Sequence, residues 1–279
     1  MLAKRKIDYY PATLALLAFL ADLAVFSFSH SAWLTLLWAV LFINVKGWIC
    51  AWNHNHQHCR FFIYDWVNRI FELMLGLQTG VTGECWMLHH TLGHHLNYLD
   101  QTRDESAWKD DSGRTMGALE YTLVVGTQAY PKALKVGERY PHLRKKLVEN
   151  LVITGMILTM LCWINWVNAL IVFIVPMVLL VYITAGVTYR HHAGLDEEDP
   201  YKATYNITDR WYNFCTCNLG YHTAHHVQCG RHWSEIPEFH EKIKHKIPAN
   251  LYREPGFPFG TLRKIRLQWT LQKSLGHSG

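Results

Sequence analysis

Lysine and arginine are absent from Ile7 to Val45 and again from Leu147 to Tyr189, while the rest of the chain is rich in both. Each block is filled with apolar side chains, the pattern of membrane segments alternating with water-exposed ones. Pro11 to Phe28 is apolar apart from Thr13, Asp22 and Ser27, just long enough to span at about 1.5 Å per residue. Asp22 would be costly facing lipid and is expected to face another helix. Ser29-His30-Ser31 reads as a short turn and Ala32 to Trp52 as the second span. In the second block, Leu151 to Trp166 and Asn168 to Val187 make another hairpin, with Asn165-Trp166-Val167-Asn168 as its tip. Pro176 is expected to kink its last helix, which a membrane bundle tolerates.

The expected fold is therefore an all-α integral membrane protein, a single domain over residues 1–279. It has four transmembrane helices in two hairpins (spans of about 11–28, 32–52, 151–166 and 168–187), interfacial helices and a cytoplasmic histidine-rich cap. Half of the residues are hydrophobic, which alone would not exclude a soluble protein; their distribution decides the class. The N-terminal Met1-Leu2-Ala3-Lys4-Arg5-Lys6 precedes an apolar run with no convincing cleavage box, so a retained first span is expected over a signal peptide.

Between the hairpins, Trp66 to Leu77 reads as an amphipathic helix lying at the interface. Asp100 to Arg114 is polar and water-exposed, Gly117 to Ala129 interfacial, and Lys132 to Lys146 basic, as expected just inside the membrane. Every Lys and Arg is expected on one side, and both outer turns contain neither. That pattern makes 53–150, 190–279 and both termini cytoplasmic. The net charge of +5 fits a face on anionic lipid better than a nucleic-acid groove, because no basic-aromatic binding motif is evident. Seven scattered cysteines, with Cys215 and Cys217 in a C-x-C, show no zinc-ribbon spacing and read as reduced thiols.

Four histidine stations stand near the apolar segments, all on the expected cytoplasmic side. They are Asn53-His54-Asn55-His56-Gln57-His58, Cys85 to His95, Tyr189-Arg190-His191-His192 and Gly220 to His226. His54 and His58 are four apart, so on a helix both rings share a face. His90 and His94 repeat that spacing beside His95, and His222, His225 and His226 are three and four apart. Such a set offers eight or nine imidazoles, too many for one ion and enough for two. Imidazole alone does not choose the metal, but a histidine set of that size without thiolate would be unusual for zinc. Two irons beside a lipid chain make better sense. Soluble di-iron bundles use Glu-x-x-His motifs; this chain has histidines where those carry carboxylates. Glu84, Asp100, Asp104 and Asp209 lie near the stations and could orient ring nitrogens from behind. His30, His142, His240, His245 and His277 read as structural; His56, His89 and His232 are minor candidates.

The three boxes His54-Asn-His-Gln-His58, His90-Thr-Leu-Gly-His94-His95 and His222-Thr-Ala-His225-His226 resemble those of the membrane fatty acid desaturase and hydroxylase superfamily. Asn218-Leu-Gly-Tyr-His-Thr-Ala-His-His, followed by Trp233 and Ile236-Pro237, resembles the third box of lipid desaturases. Gly93-His94-His95 is closer to membrane alkane hydroxylases, as is His191-His192-Ala193-Gly194. The latter likeness implies His192 as a ninth ligand, whereas likeness to acyl-CoA desaturases would favour His191. The resemblance implies metal ligation by His54, His58, His90, His94, His95, His192, His222, His225 and His226. It implies two non-haem Fe ions, O2 as co-substrate, and removal of hydrogen from an unactivated carbon of a lipid or fatty acyl chain. The product would be a double bond, a hydroxyl or, in some relatives, a terminal alkene by decarboxylation. A tunnel lined by residues such as Trp48, Trp52 or Tyr182 is expected.

No haem module, cysteine cluster motif or nucleotide-binding glycine loop is found, so a separate electron donor is expected: ferredoxin, rubredoxin or a small b-type cytochrome. Its dock is expected on the basic face, at Arg144-Lys145-Lys146 or Arg263-Lys264. Other classes fit less well. A haem protein would carry its ligands inside the spans, and a metal transporter would want ionisable residues along a midplane path. A zinc protease would need the glutamate of His-Glu-x-x-His, which the first box lacks.

Overall fold

Helix α1 (Tyr9–Phe28) and helix α2 (Ala32–His58) form the first hairpin. Ser31 caps α2 by accepting a hydrogen bond from Leu34 N, satisfying one of the amides a helix start leaves unpaired. The structure is a computed structural model and describes residues 1–195 and 197–261; the Arg263-Lys264 dock lies outside them. Helix α2 runs past Trp52 to His58, so the first histidine box is its last turn.

Helix α3 (Asp65–Thr79) buries one face and ends at Gly80, whose φ of 73° only glycine adopts freely. A Cβ there would stand 2.2 Å from the Met177 carbonyl oxygen, so this turn also sets how closely α3 approaches the second hairpin. Helix α4 begins as α-helix (Gly83–Cys85) and continues as π-helix (Trp86–His95), carrying the second box. Helix α5 (Ala118–Val136) follows.

Helices α6 (Pro141–Ala169) and α7 (Val175–His192) are joined by a π-helical turn, Leu170–Ile174. Non-helical Asn165 (φ −156°, ψ 90°) breaks α6 at the expected tip. The two arms run antiparallel: Ile157 and Leu161 cluster with Phe173 and Met177, while Leu147 and Leu151 cluster with Val181. Pro176 stands in the first turn of α7, directly after this π-helical turn, with its fixed φ matched to the helix.

Among the described residues, three helical stretches are long and apolar enough to cross a membrane: Lys6–Phe28, Ala32–His58 and Pro141–His192, the last comprising both arms of the second hairpin. Their outer faces expose Leu37, Leu41, Met156, Met160 and Trp163, side chains suited to lipid. The hairpin tips are tied together. Asn168 Nδ2 donates to the Phe26 and Ser29 carbonyls at 3.0 and 2.9 Å, and Thr35 Oγ1 donates to Asn168 Oδ1 at 3.1 Å.

Not every cation lies outside the spans. Lys46 is buried within α2, its Nζ 2.9 Å from Asp22 Oδ2 on α1, which explains how Asp22 is tolerated. Short helices α8 (Arg210–Thr216), α9 (His222–Val227) and α10 (Ile236–Ile243) pack beneath the hairpins and bring the third box to the other two.

Candidate metal centre

Helix ends and one π-helix deliver the histidines to a single place. His54, His58, His90, His95 and His225 have ring nitrogens all within 4.8 Å of one another, and His94, His192 and His226 form a second such group. His222 borders the second group, its Nε2 3.0 Å from His192 Nε2. Equal α-helical spacing in the second box suggested His90 and His94 on one face; the structure separates them. A π-helix closes i to i+5, so His90 shares its face with His95 (Nε2 to Nε2 3.0 Å) and His94 turns to the other group. Likewise α9 divides its box: His225 Nε2 lies 3.0 Å from His95 Nε2, while the His226 ring stands 5.1 Å from that of His94.

These contacts cannot all be hydrogen bonds. His90 Nε2 stands 2.9 Å from His54 Nε2 and 3.0 Å from His95 Nε2, and His95 Nε2 is in turn 3.0 Å from His225 Nε2. One ring nitrogen has either a single proton or a single lone pair in plane, so it cannot serve two such neighbours. His58 Nε2 and both nitrogens of His226 are buried without a hydrogen-bond partner. Converging, unsatisfied lone pairs suit cations, and this donor set fits two metal ions. Burial, reinforced by neighbouring imidazoles, holds His90, His95, His222, His225 and His226 well below the usual value of 6.5, in the neutral form a metal requires.

The other histidines have separate work. His191 Nδ1 donates to the Tyr205 carbonyl at 3.0 Å, which leaves His192 as the member of its pair inside a group. His56 faces Glu72 (3.4 Å), away from both groups, and His232 pairs with Asp8 at 2.8 Å. His89 is buried with Nε2 unpartnered and belongs to neither group. Of the four carboxylates expected behind the rings, Asp104 alone takes that place. Its two oxygens accept from His94 Nδ1 at 2.8 and 3.0 Å, and Ser106 N fixes Oδ1 at 2.8 Å. Glu84 accepts from Asn150, Asp100 closes a turn on Thr102, and Asp209 caps α8.

Asp104→Asn should therefore lower metal affinity about 10- to 100-fold by loosening His94, while Asp100→Asn leaves it unchanged. Chelator competition on the purified protein measures both; equal effects would refute the assignment. The buried imidazoles also predict acid sensitivity. Their folded pKa values are depressed, so the unfolded chain binds more protons below about 6.5. Stability of metal-free protein should be level above pH 7 and fall below about 6.5, by roughly 1.4 kcal/mol per pH unit for each imidazole kept neutral. A thermal midpoint unchanged between about pH 7.5 and 5.5 would contradict this.

An apolar cavity of about 220 Å³ opens beside the first group, with His54, His90, His191 and His222 in its wall. Trp48 lines it, as expected. Trp52 and Tyr182 do not: the Trp52 indole N–H is turned to the Cys215 carbonyl, and the Tyr182 hydroxyl meets Thr127. Instead Gly47, Thr184 and Phe259 contribute.

No curated protein matches the chain. The family model described as fatty acid desaturase matches residues 30–256. That range takes in three of the four membrane arms, all four histidine stations and the cavity wall up to Gly256. The chain belongs to the fatty acid desaturase family, which makes it an oxidoreductase acting on lipids.

Proposed function

We propose that the protein is an oxygen-dependent desaturase of lipid acyl chains with a histidine-ligated di-iron centre. The carrying observation is that an apolar cavity runs directly along the wall formed by the clustered histidines. In this reading His54, His58, His90, His95 and His225 hold one iron, and His94, His192, His222 and His226 the other. The irons, when bound, supply the oxidising chemistry with O2; the protein supplies position and dryness. Asp104 keeps the Nδ1 proton of His94, so its Nε2 presents a lone pair. Ile43, Gly47, Trp48, Leu180 and Val187 confine an alkyl chain and exclude water from its path. The position of the chain along this wall then decides which carbon loses hydrogen.

Electrons come from a separate donor of the ferredoxin, rubredoxin or b-type cytochrome kind, with the basic Arg144-Lys145-Lys146 segment of α6 as its dock. Both termini and the histidine boxes face the cytoplasm in this orientation. A second reading, hydroxylation, is favoured by the alkane-hydroxylase form of Gly93-His94-His95. Membranes containing the expressed protein, fed candidate lipids under O2, separate the two by product mass. Loss of two hydrogens from the chain is the expected result. Gain of one oxygen would install the hydroxylase reading, and an unchanged lipid pool with iron-loaded protein and donor would sink both.

A further inference from the structure

Two arginines that the metal chemistry does not use flank the cavity wall in the chain, Arg190 just before His191 and Arg253 four residues before Phe257. His191 lines the cavity, and Arg190, one residue earlier, is exposed at the end of α7. From the opposite side Phe257, Pro258 and Phe259 close over the same space, the Phe259 ring 6.1 Å from that of Trp48 and 5.7 Å from that of Tyr212. The two walls meet at Gly256. A Cβ on that residue would stand 2.9 Å from Arg190 Nη1, so a side chain there would push against the guanidinium.

Arg253 is tied to the Arg190 main chain. Its Nη1 donates to the Arg190 carbonyl at 3.3 Å, and its guanidinium lies 3.1 Å from the centre of the Tyr205 ring. Tyr205 is itself pinned to α7, donating N–H to the His191 carbonyl at 2.8 Å and accepting from His191 Nδ1 at 3.0 Å. A main-chain carbonyl and an aromatic face hold a cation in place without neutralising its charge. A guanidinium group can capture a carboxylate or phosphate bidentately. The cavity nearby is mainly apolar, as an alkyl chain requires.

We propose that Arg190 and Arg253 form an anion subsite holding the carboxylate or phosphate head of the lipid whose chain enters the cavity. This rests on reading the cavity as the lipid-chain site, and it makes the substrate an anionic amphiphile, with its head at the rim and its tail directed past the histidines. A neutral hydrocarbon or ester would lack that anchor.

The test titrates three fluorescent probes sharing one polyene chain into the full-length protein in neutral detergent: parinaric acid, its methyl ester, and a phosphatidic acid bearing the parinaroyl chain. At about pH 8 an anionic probe should bind about tenfold more tightly than the ester. Arg190→Gln and Arg253→Gln should each remove most of that preference and leave ester binding unchanged, whereas the lysine variants retain part of it. Loss confined to parinaric acid identifies a free fatty acid as the source; loss confined to phosphatidic acid identifies a phospholipid. Arg210→Gln, at another exposed arginine, the first residue of α8, should change nothing. Equal binding of acid, phosphatidic acid and ester by the wild type, parallel loss of ester binding in the variants, or an equal effect at Arg210 would overturn the subsite. Metal content and product mass are measured separately, so a failure of the di-iron reading is distinguishable from a failure of this one.

Discussion

Replacing His225 with alanine should reduce turnover more than about a hundredfold and lower bound metal by about one ion in two, without unfolding the protein. His225 stands at the middle of the larger group, its ring centroid 4.6 Å from His54, 4.7 Å from His58 and 4.6 Å from His95. Alanine would leave four imidazoles and an open face where a fifth converged. Helix α9 should persist, because buried Ala224 packs with Ile236, Ile243 and Leu251, independently of the metal-facing side. His142→Ala is the control: His142 is exposed in the first turn of α6, and its loss should change neither metal nor rate. Elemental analysis and product formation on the same preparations check both. A His225→Ala protein with full metal and full turnover would remove the ligand assignment, and the proposed chemistry with it.

The boxes were legible because metal ligation demands several imidazoles at helical spacing, and chance seldom sets three such groups beside apolar segments. The partition of those histidines was not legible. Counting every fourth residue assumes an α-helix, and Trp86–His95 is π-helical, which exchanges His94 for His95 as the partner of His90. Nothing in local composition announces that change of pitch. The hairpin tip at Asn165 could be read from a polar interruption in an apolar run. The cavity lining could not, because facing depends on how α2 meets α7 and α8. Trp48 and Trp52 are four residues apart, yet Trp48 lines the cavity and Trp52 turns its indole N–H to the Cys215 carbonyl. Asp104 stood among four plausible carboxylates; a long loop decides which one returns to a histidine.

Lys46→Met should destabilise the protein by about 3–5 kcal/mol, a drop in thermal midpoint of roughly 10 °C in detergent. Lysine at this depth is masked in the sequence by the apolar run around it, and its value lies in what it joins. The Lys46 and Asp22 side chains are 2 % and 0 % exposed, the ammonium donates to the Val172 carbonyl at 2.7 Å, and Trp38 Nε1 donates to Asp22 Oδ1 at 3.0 Å. The pair therefore fastens α1, α2 and the π-turn of the second hairpin at one point. Removing the cation alone strands a carboxylate in a medium that cannot solvate it, and takes the ammonium donor from the Val172 carbonyl. Replacing both partners, as Lys46→Met with Asp22→Leu, removes the stranded charge and should recover most of the lost midpoint. That recovery separates a charge effect from a packing effect, because a site that only needed volume would respond to Lys46→Met mildly and to the double variant no better. The same comparison bears on catalysis. Gly47, the next residue, lines the cavity, so a looser α2 in the single variant should also reduce turnover by letting this wall and His54, both on α2, shift relative to His90 and His225 on other helices, and the double variant should restore rate along with stability.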